Sequence, residues 1–200
     1  MTQRKDPIEK ILTRRKACPE AVVWARQFDT LEEVWQSLAA PDWALWALSA
    51  FGYQSDRKLR QFAVLCAQRC KALWPDPACD KALSIAEKAA AGLVADAELT
   101  AAYRDAHAAA NTVAERTDFS ESLAAASAAV VAALRTHAMD AAMGASRESS
   151  RAIAWDPSSD NSWDEEGVWQ SNELRRIVGG DVHTLIADVR RTTRNVLPIV

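Results

Sequence analysis

The residues of this chain that could do chemistry are three histidines, four cysteines and one strip of carboxylates set between tryptophans. His107, His137 and His183 fall in separate segments, and none belongs to a His-Glu-x-x-His pair or a comparable ligand spacing. His137 precedes Asp140 by three residues, a helical spacing that would let a carboxylate orient an imidazole for acid–base work. An enzyme of unfamiliar helical type would be built around His107 and His137. Cys66 and Cys70 stand one helix turn apart, which would bring two thiolates to one metal ion. A structural zinc site needs about four ligands, and Cys79 and His107 would complete one only by a coincidence of packing. With no secretory signal at the start, Cys18, Cys66, Cys70 and Cys79 read instead as reduced, buried, small apolar residues. Gly144-Ala145-Ser146 lacks the second glycine of a nucleophile elbow. Gly179-Gly180 is followed by no Lys-Ser/Thr, so no phosphate-cradling loop is expected. These patterns predict no catalytic residue, no metal site and no cofactor.

The strip is the best candidate for contact with a partner. Trp155 and Trp163 bracket a polar segment that carries Asp156 and Asp160 and continues into Asp164, Glu165 and Glu166. Aromatic residues anchored on loops are where partner contacts concentrate. A purely local account stands beside this one: the segment is a linker, Ser162 caps the next helix, and the three carboxylates after Trp163 complement its dipole. The carboxylate spacing does not fit an EF-hand loop. A basic pole, Lys10, Arg14, Arg15 and Lys16 near the start and Arg190, Arg191 and Arg194 near the end, reads as a solvated face.

The elements that must position these residues are helical. Alanine makes up roughly a fifth of the chain and glycine is scarce, a combination that favours helix over sheet. Start signals recur at Asp6-Pro7, Thr30 to Glu33, Pro41-Asp42, Asp56 and Asp76-Pro77. Breaks are expected at Gly92, at Thr117-Asp118 and within Phe119 to Trp155, near Thr136 to Met139 or Met143 to Ser146. An amphipathic segment from Asp181 to Asn195 closes the chain. No segment alternates with period two, so no sheet is predicted. The expectation is an all-α protein, one compact multi-helix domain of about eight to ten helices. Residues 1–76 form a Trp-rich half of short helices and 77–155 form Ala-rich helical hairpins. A loop at 156–162 leads to C-terminal helices at 163–200. The tryptophans of the first half, Trp43 and Trp46 above all, are expected in the core.

A net charge of −3 and a pI near 5.7 argue against a general nucleic-acid binder, for which basic surface supplies most of the affinity. No run approaches 18 apolar residues and the first residues are polar, so membrane insertion and export are not expected and a cytoplasmic protein is.

Several of these segments carry a resemblance. Ala17-Cys18-Pro19-Glu20-Ala21-Val22-Val23-Trp24, Trp35, Pro41-Asp42-Trp43-Ala44-Leu45-Trp46, the Arg57-to-Cys70 helix and Lys81-Ala82 to Ala86-Glu87 resemble the bacterial immunity protein family associated with polymorphic toxin systems. The resemblance covers roughly Lys16 to Ala110, with Trp169-Gln170 to Val178 similar to the family's closing helix. It departs at Cys79-Asp80, where members often carry proline and arginine, and the stretch beyond Gly180 is an addition. The resemblance implies a non-enzymatic helical protein that neutralises a cognate toxin by stoichiometric binding. A helical adaptor that self-associates, as a homodimer for example, is the alternative.

Overall fold

Prolines and polar caps divide the first half of the chain into short helices. The computed structural model describes residues 8–115 and 119–194 and contains, among them, eleven α-helices and no strand. The first four are α1 (Ile8–Arg14), α2 (Pro19–Ala25), α3 (Leu31–Ser37) and α4 (Pro41–Ala50). Pro19 and Pro41 open α2 and α4, where a missing N–H leaves no hydrogen bond unmade. Thr30 accepts from the Glu33 N–H to start α3. Longer helices follow: α5 (Asp56–Arg69), α6 (Pro77–Ala90), α7 (Asp96–Asn111), α8 (Glu121–Ala133), α9 (Ala138–Ala154), α10 (Trp163–Val178) and α11 (Asp181–Arg194). The count exceeds the expected eight to ten by the short α2, set off from α1 by a turn in which Lys16 takes φ +62°. The break at Gly92 falls where the sequence places it, and of the two places offered for the later break the chain uses the one near Thr136, while Met143 to Ser146 lies inside α9. Asp6-Pro7, Thr117-Asp118 and Asn195 lie outside the described residues.

Helices α5, α8 and α9 form the centre, with α6, α7, α4 and α10 packed around them. α5 turns Leu59, Phe62, Ala63, Cys66 and Cys70 inward. α8 and α9 approach closely because their facing positions are alanine and glycine. A β-carbon added at Gly144 would stand 2.9 Å from the Ala132 β-carbon, well inside van der Waals contact. Arg60, 8% exposed, donates to the backbone carbonyls of Arg135 and Thr136 and so satisfies two buried-side acceptors of the turn between α8 and α9.

The tryptophans divide into two groups. Trp35 and Trp74 are buried, whereas Trp24, Trp43 and Trp46 are half-buried at the rim. α4 turns Ala44, Leu45 and Leu48 inward, which leaves Trp43 and Trp46 on its flanks, in edge contact with Trp24 (5.8 Å) and Phe51 (6.4 Å) respectively. The expected buried hub is thus an aromatic rim.

α11 is tied down by its ends. Gly179 takes φ +58°, a left-handed conformation that ends α10 and that a side chain would strain. Lys58 Nζ then reaches the Val178 carbonyl (3.0 Å) and Asp181 (2.9 Å), and the Tyr53 hydroxyl donates to Asp181 (3.0 Å). At the other end Arg190 pairs with Glu32. Val182, Ile186 and Val189 face the body of the protein.

Candidate functional site

The strip from Trp155 to Glu166 joins α9 to α10, and its residues separate into exposed aromatics and locally committed carboxylates. Trp155 is 41% exposed at the end of α9, with the Arg151 guanidinium 4.5 Å over its ring. Trp163 is 48% exposed on the first turn of α10. Asp156 turns back to accept from the backbone N–H (3.0 Å) and hydroxyl (2.8 Å) of Ser158. Glu165 completes a capping box, taking the Ser162 N–H at 2.7 Å while Ser162 Oγ takes the Glu165 N–H at 3.2 Å. The backbone hydrogen bond from Ser162 holds the Glu165 carboxyl below its usual range. Asp160 and Asp164 are exposed.

Glu166 is the correction to the expected contact set. It is 1% exposed and points into the protein, where Arg69 Nε lies 3.1 Å and Gln170 Nε2 3.2 Å from its oxygens. Burial raises its carboxyl pKa, against the lowering effect of Gln170 and Arg69. It therefore cannot meet a partner and belongs to a buried polar cluster between α9 and α10. At the centre of the cluster is Gln170, fully buried, its Nε2 within 3.1 Å of the Ser146 carbonyl, the Ser149 hydroxyl and the Ser150 hydroxyl. Ser146 Oγ donates in turn to Gln170 Oε1. Ser146, Ser149 and Ser150, spaced along one face of an otherwise alanine-rich helix, are the signal in the sequence from which this cluster could have been found.

The remaining candidates do not assemble. Cys66, Cys70 and Cys79 are buried and Cys18 is exposed, so the expectation of four buried cysteines fails at Cys18, which lies at the cap of α2. Cys70 donates to the Ala67 carbonyl (3.4 Å), and burial pushes the Cys70 thiol up to about 12 and the Cys79 thiol to about 11. No group of three His, Cys, Asp or Glu that could hold a metal occurs among the described residues. His107, His137 and His183 lie on three different elements and all face solvent. His107 stacks on Tyr103, and His137 stands 3.5 Å from Asp140 in an exposed pair. The basic pole is likewise divided, Arg190 being paired to Glu32 and Arg15 bonded to the Ala50 carbonyl.

What does assemble is a face centred on α9. Of the six large apolar side chains exposed among the described residues, four border it: Phe119, Trp155, Trp163 and Val168. On one side a cleft of ≈ 280 Å³ lies between Pro41 and Asp42 of α4, Ser146 and Arg147 of α9, and Trp163 and Val168 of α10. On the other a groove of ≈ 550 Å³ has α7 as one wall, with Tyr103 and His107, and α9 as the other, with Arg147, Glu148 and Arg151; Ala128 and Val131 of α8 form its floor. Arg147 lines both. Sequence reasoning found Trp155 and Trp163 and missed the arginines, because α9 reads as a helix whose faces cannot be ranked before α8 covers one of them. No helix among the described residues is long and apolar enough to cross a membrane. Comparison of the chain with protein-family models, with curated proteins and with solved structures gives no match.

Proposed function

We propose that this chain is a cytoplasmic immunity protein that neutralises a cognate bacterial toxin by stoichiometric binding through the α9 face. The observation that carries this reading is the gathering of Phe119, Trp155, Trp163 and Val168 around the arginines of one helix. Exposed apolar side chains are ordinary when scattered, but here Phe119 borders one of two hollows that share Arg147, Trp163 and Val168 border the other, and Trp155 packs on Arg151, a clustering of the kind that marks interaction sites. Tryptophan, tyrosine and arginine are also the residues that dominate binding energy in protein interfaces. The histidines offer no competing centre, since each faces solvent from a different element. The resemblance of Lys16 to Ala110 to immunity proteins supports the choice of toxin as partner. Asp160 and Asp164 stay at the rim of this face, and Glu166 does not belong to it.

Co-expression and pull-down with the products of adjacent genes is the test. A one-to-one complex that relieves toxicity is expected, and retention of none of those products would overturn the reading. The same face could pair two copies of this chain as an adaptor. Size-exclusion chromatography with light scattering separates the two, because a defined homodimer that persists at micromolar concentration would favour the adaptor.

A further inference from the structure

One wall of the groove between α7 and α9 carries its cations as a row. Arg135 extends from the end of α8 across Gly144, its Nη1 3.1 Å from where a β-carbon there would stand. Arg147 and Arg151 follow along α9, about 6 Å apart at helical rise. From Gly144 to Arg151 the row spans about 10 Å. Glu148 is the one carboxylate among the described residues of the lining, and it is paired with Arg151 at 3.1 Å. Arg135 makes only a long 3.5 Å contact to the Asp140 carbonyl, and Arg147 has no hydrogen-bond or ion-pair partner among the described residues. Like charges held in a row repel one another unless countered, and among the described residues the row has only Glu148 to counter it, on a chain whose net charge is −3.

The opposite wall is aromatic. Tyr103 and His107 stack at 5.8 Å with their planes 29° apart, and Phe119, half exposed, borders the same groove. We infer that this groove takes an extended acidic segment of the partner protein, its carboxylates on the arginine row and an apolar side chain against the rings and the alanine floor. The inference rests on the protein-partner reading above and adds the partner's chemistry. An extended chain sets every second side chain on one face about 7 Å apart, close to the interval between Arg147 and Arg151. Guanidinium groups bind carboxylates in planar, two-point fashion. A lone phosphate would engage only part of a row this long. A nucleic-acid strand, charged along its whole length, is disfavoured by the protein's own negative field, whereas a short acidic stretch on a larger protein is not.

Selection of a displayed library of random peptides, about twelve residues long, on the immobilised full chain tests this. Enriched sequences are expected to carry net negative charge with acidic residues two apart and an aliphatic or aromatic residue beside them. The synthetic winners should lose about tenfold or more in affinity on the Arg135→Glu/Arg147→Glu protein. Both arginines are exposed, so the variant should keep the wild-type circular dichroism and melting temperature. Arg147→Lys should retain part of the affinity. Enrichment of neutral or basic peptides, no enrichment, equal binding to the variant, or tighter binding of an oligothymidylate than of the selected peptides would each overturn the inference. If an adjacent gene product is captured but no acidic peptide is selected, only the groove assignment fails. If acidic peptides are selected and no adjacent product is captured, the immunity reading fails and the groove stands.

Discussion

Glu166 follows four residues whose placement is obvious from sequence: a capping serine, an exposed tryptophan and two carboxylates at the helix N-terminus. Its own direction is set by the helix period. Glu166, Gln170, Leu174 and Val178 stand four apart and form the stripe by which α10 meets the core. The carboxylate is therefore carried inward with its neighbours, and Arg69, itself stacked on Trp169 at 4.6 Å, supplies the counter-charge. Burial raises the Glu166 pKa, so in the window just above the ordinary carboxylate value the folded protein binds a proton that the unfolded chain does not. Stability from this group must then increase as pH falls through the raised pKa, and level off once the unfolded chain also protonates. Urea unfolding of wild type and Glu166→Gln between pH 7 and the ordinary glutamate pKa of about 4.3 should show wild type gaining on the variant as pH falls. Parallel profiles would mean that Arg69 and Gln170 fully compensate the burial.

At the scale of elements, the helix ends were legible and the helix faces were not. Proline at a first turn, Thr30, Asp76 and Ser162 as caps, and Gly92 as a break each act through a few neighbouring atoms, so local sequence suffices to place them. α8 is apolar nearly all round, and ten of its residues are buried among four neighbouring helices, α5, α6, α7 and α9, so no stripe distinguishes one face from another. The depth of the groove and the row of arginines depend on that packing, which is why two tryptophans of the site could be read in advance and its cations could not. The α8–α9 crossing offers a direct test. Alanine is preferred over glycine within a helix by about 1 kcal/mol. At Gly144, however, the new β-carbon would meet that of Ala132 at 2.9 Å and the Arg135 guanidinium at 3.1 Å. The first neighbour is fixed to the backbone and cannot swing away, and overpacking of this kind costs about 1–3 kcal/mol. Gly144→Ala should therefore lower unfolding stability by up to about 2 kcal/mol net, measured by denaturant titration. A gain in stability would show that α8 and α9 can part without loss.

For the whole molecule, the distribution of tryptophans separates what holds the fold from what is left for a partner. Trp74 is 1% exposed and Trp35 is 7% exposed, Trp24, Trp43 and Trp46 seal the rim, and of the tryptophans only Trp155 and Trp163 are exposed. Removing a buried tryptophan leaves a cavity as well as lost contacts, so Trp74→Ala should cost about 3–5 kcal/mol of stability. Trp155→Ala forfeits its contact with Arg151, worth about 0.5–1 kcal/mol at an exposed site, and Trp163→Ala little more than exposed area. Stability and partner affinity should therefore move apart. The Trp155→Ala/Trp163→Ala protein should unfold within about 1 kcal/mol of wild type, yet lose about 2 kcal/mol or more in affinity for whichever adjacent gene product the wild type captures, roughly thirtyfold in Kd. Calorimetric titration beside thermal unfolding of the same preparations reads both quantities. If the double variant binds as tightly as wild type, the contact surface lies elsewhere on the molecule, and the exposed aromatics around α9 have some other reason to be there.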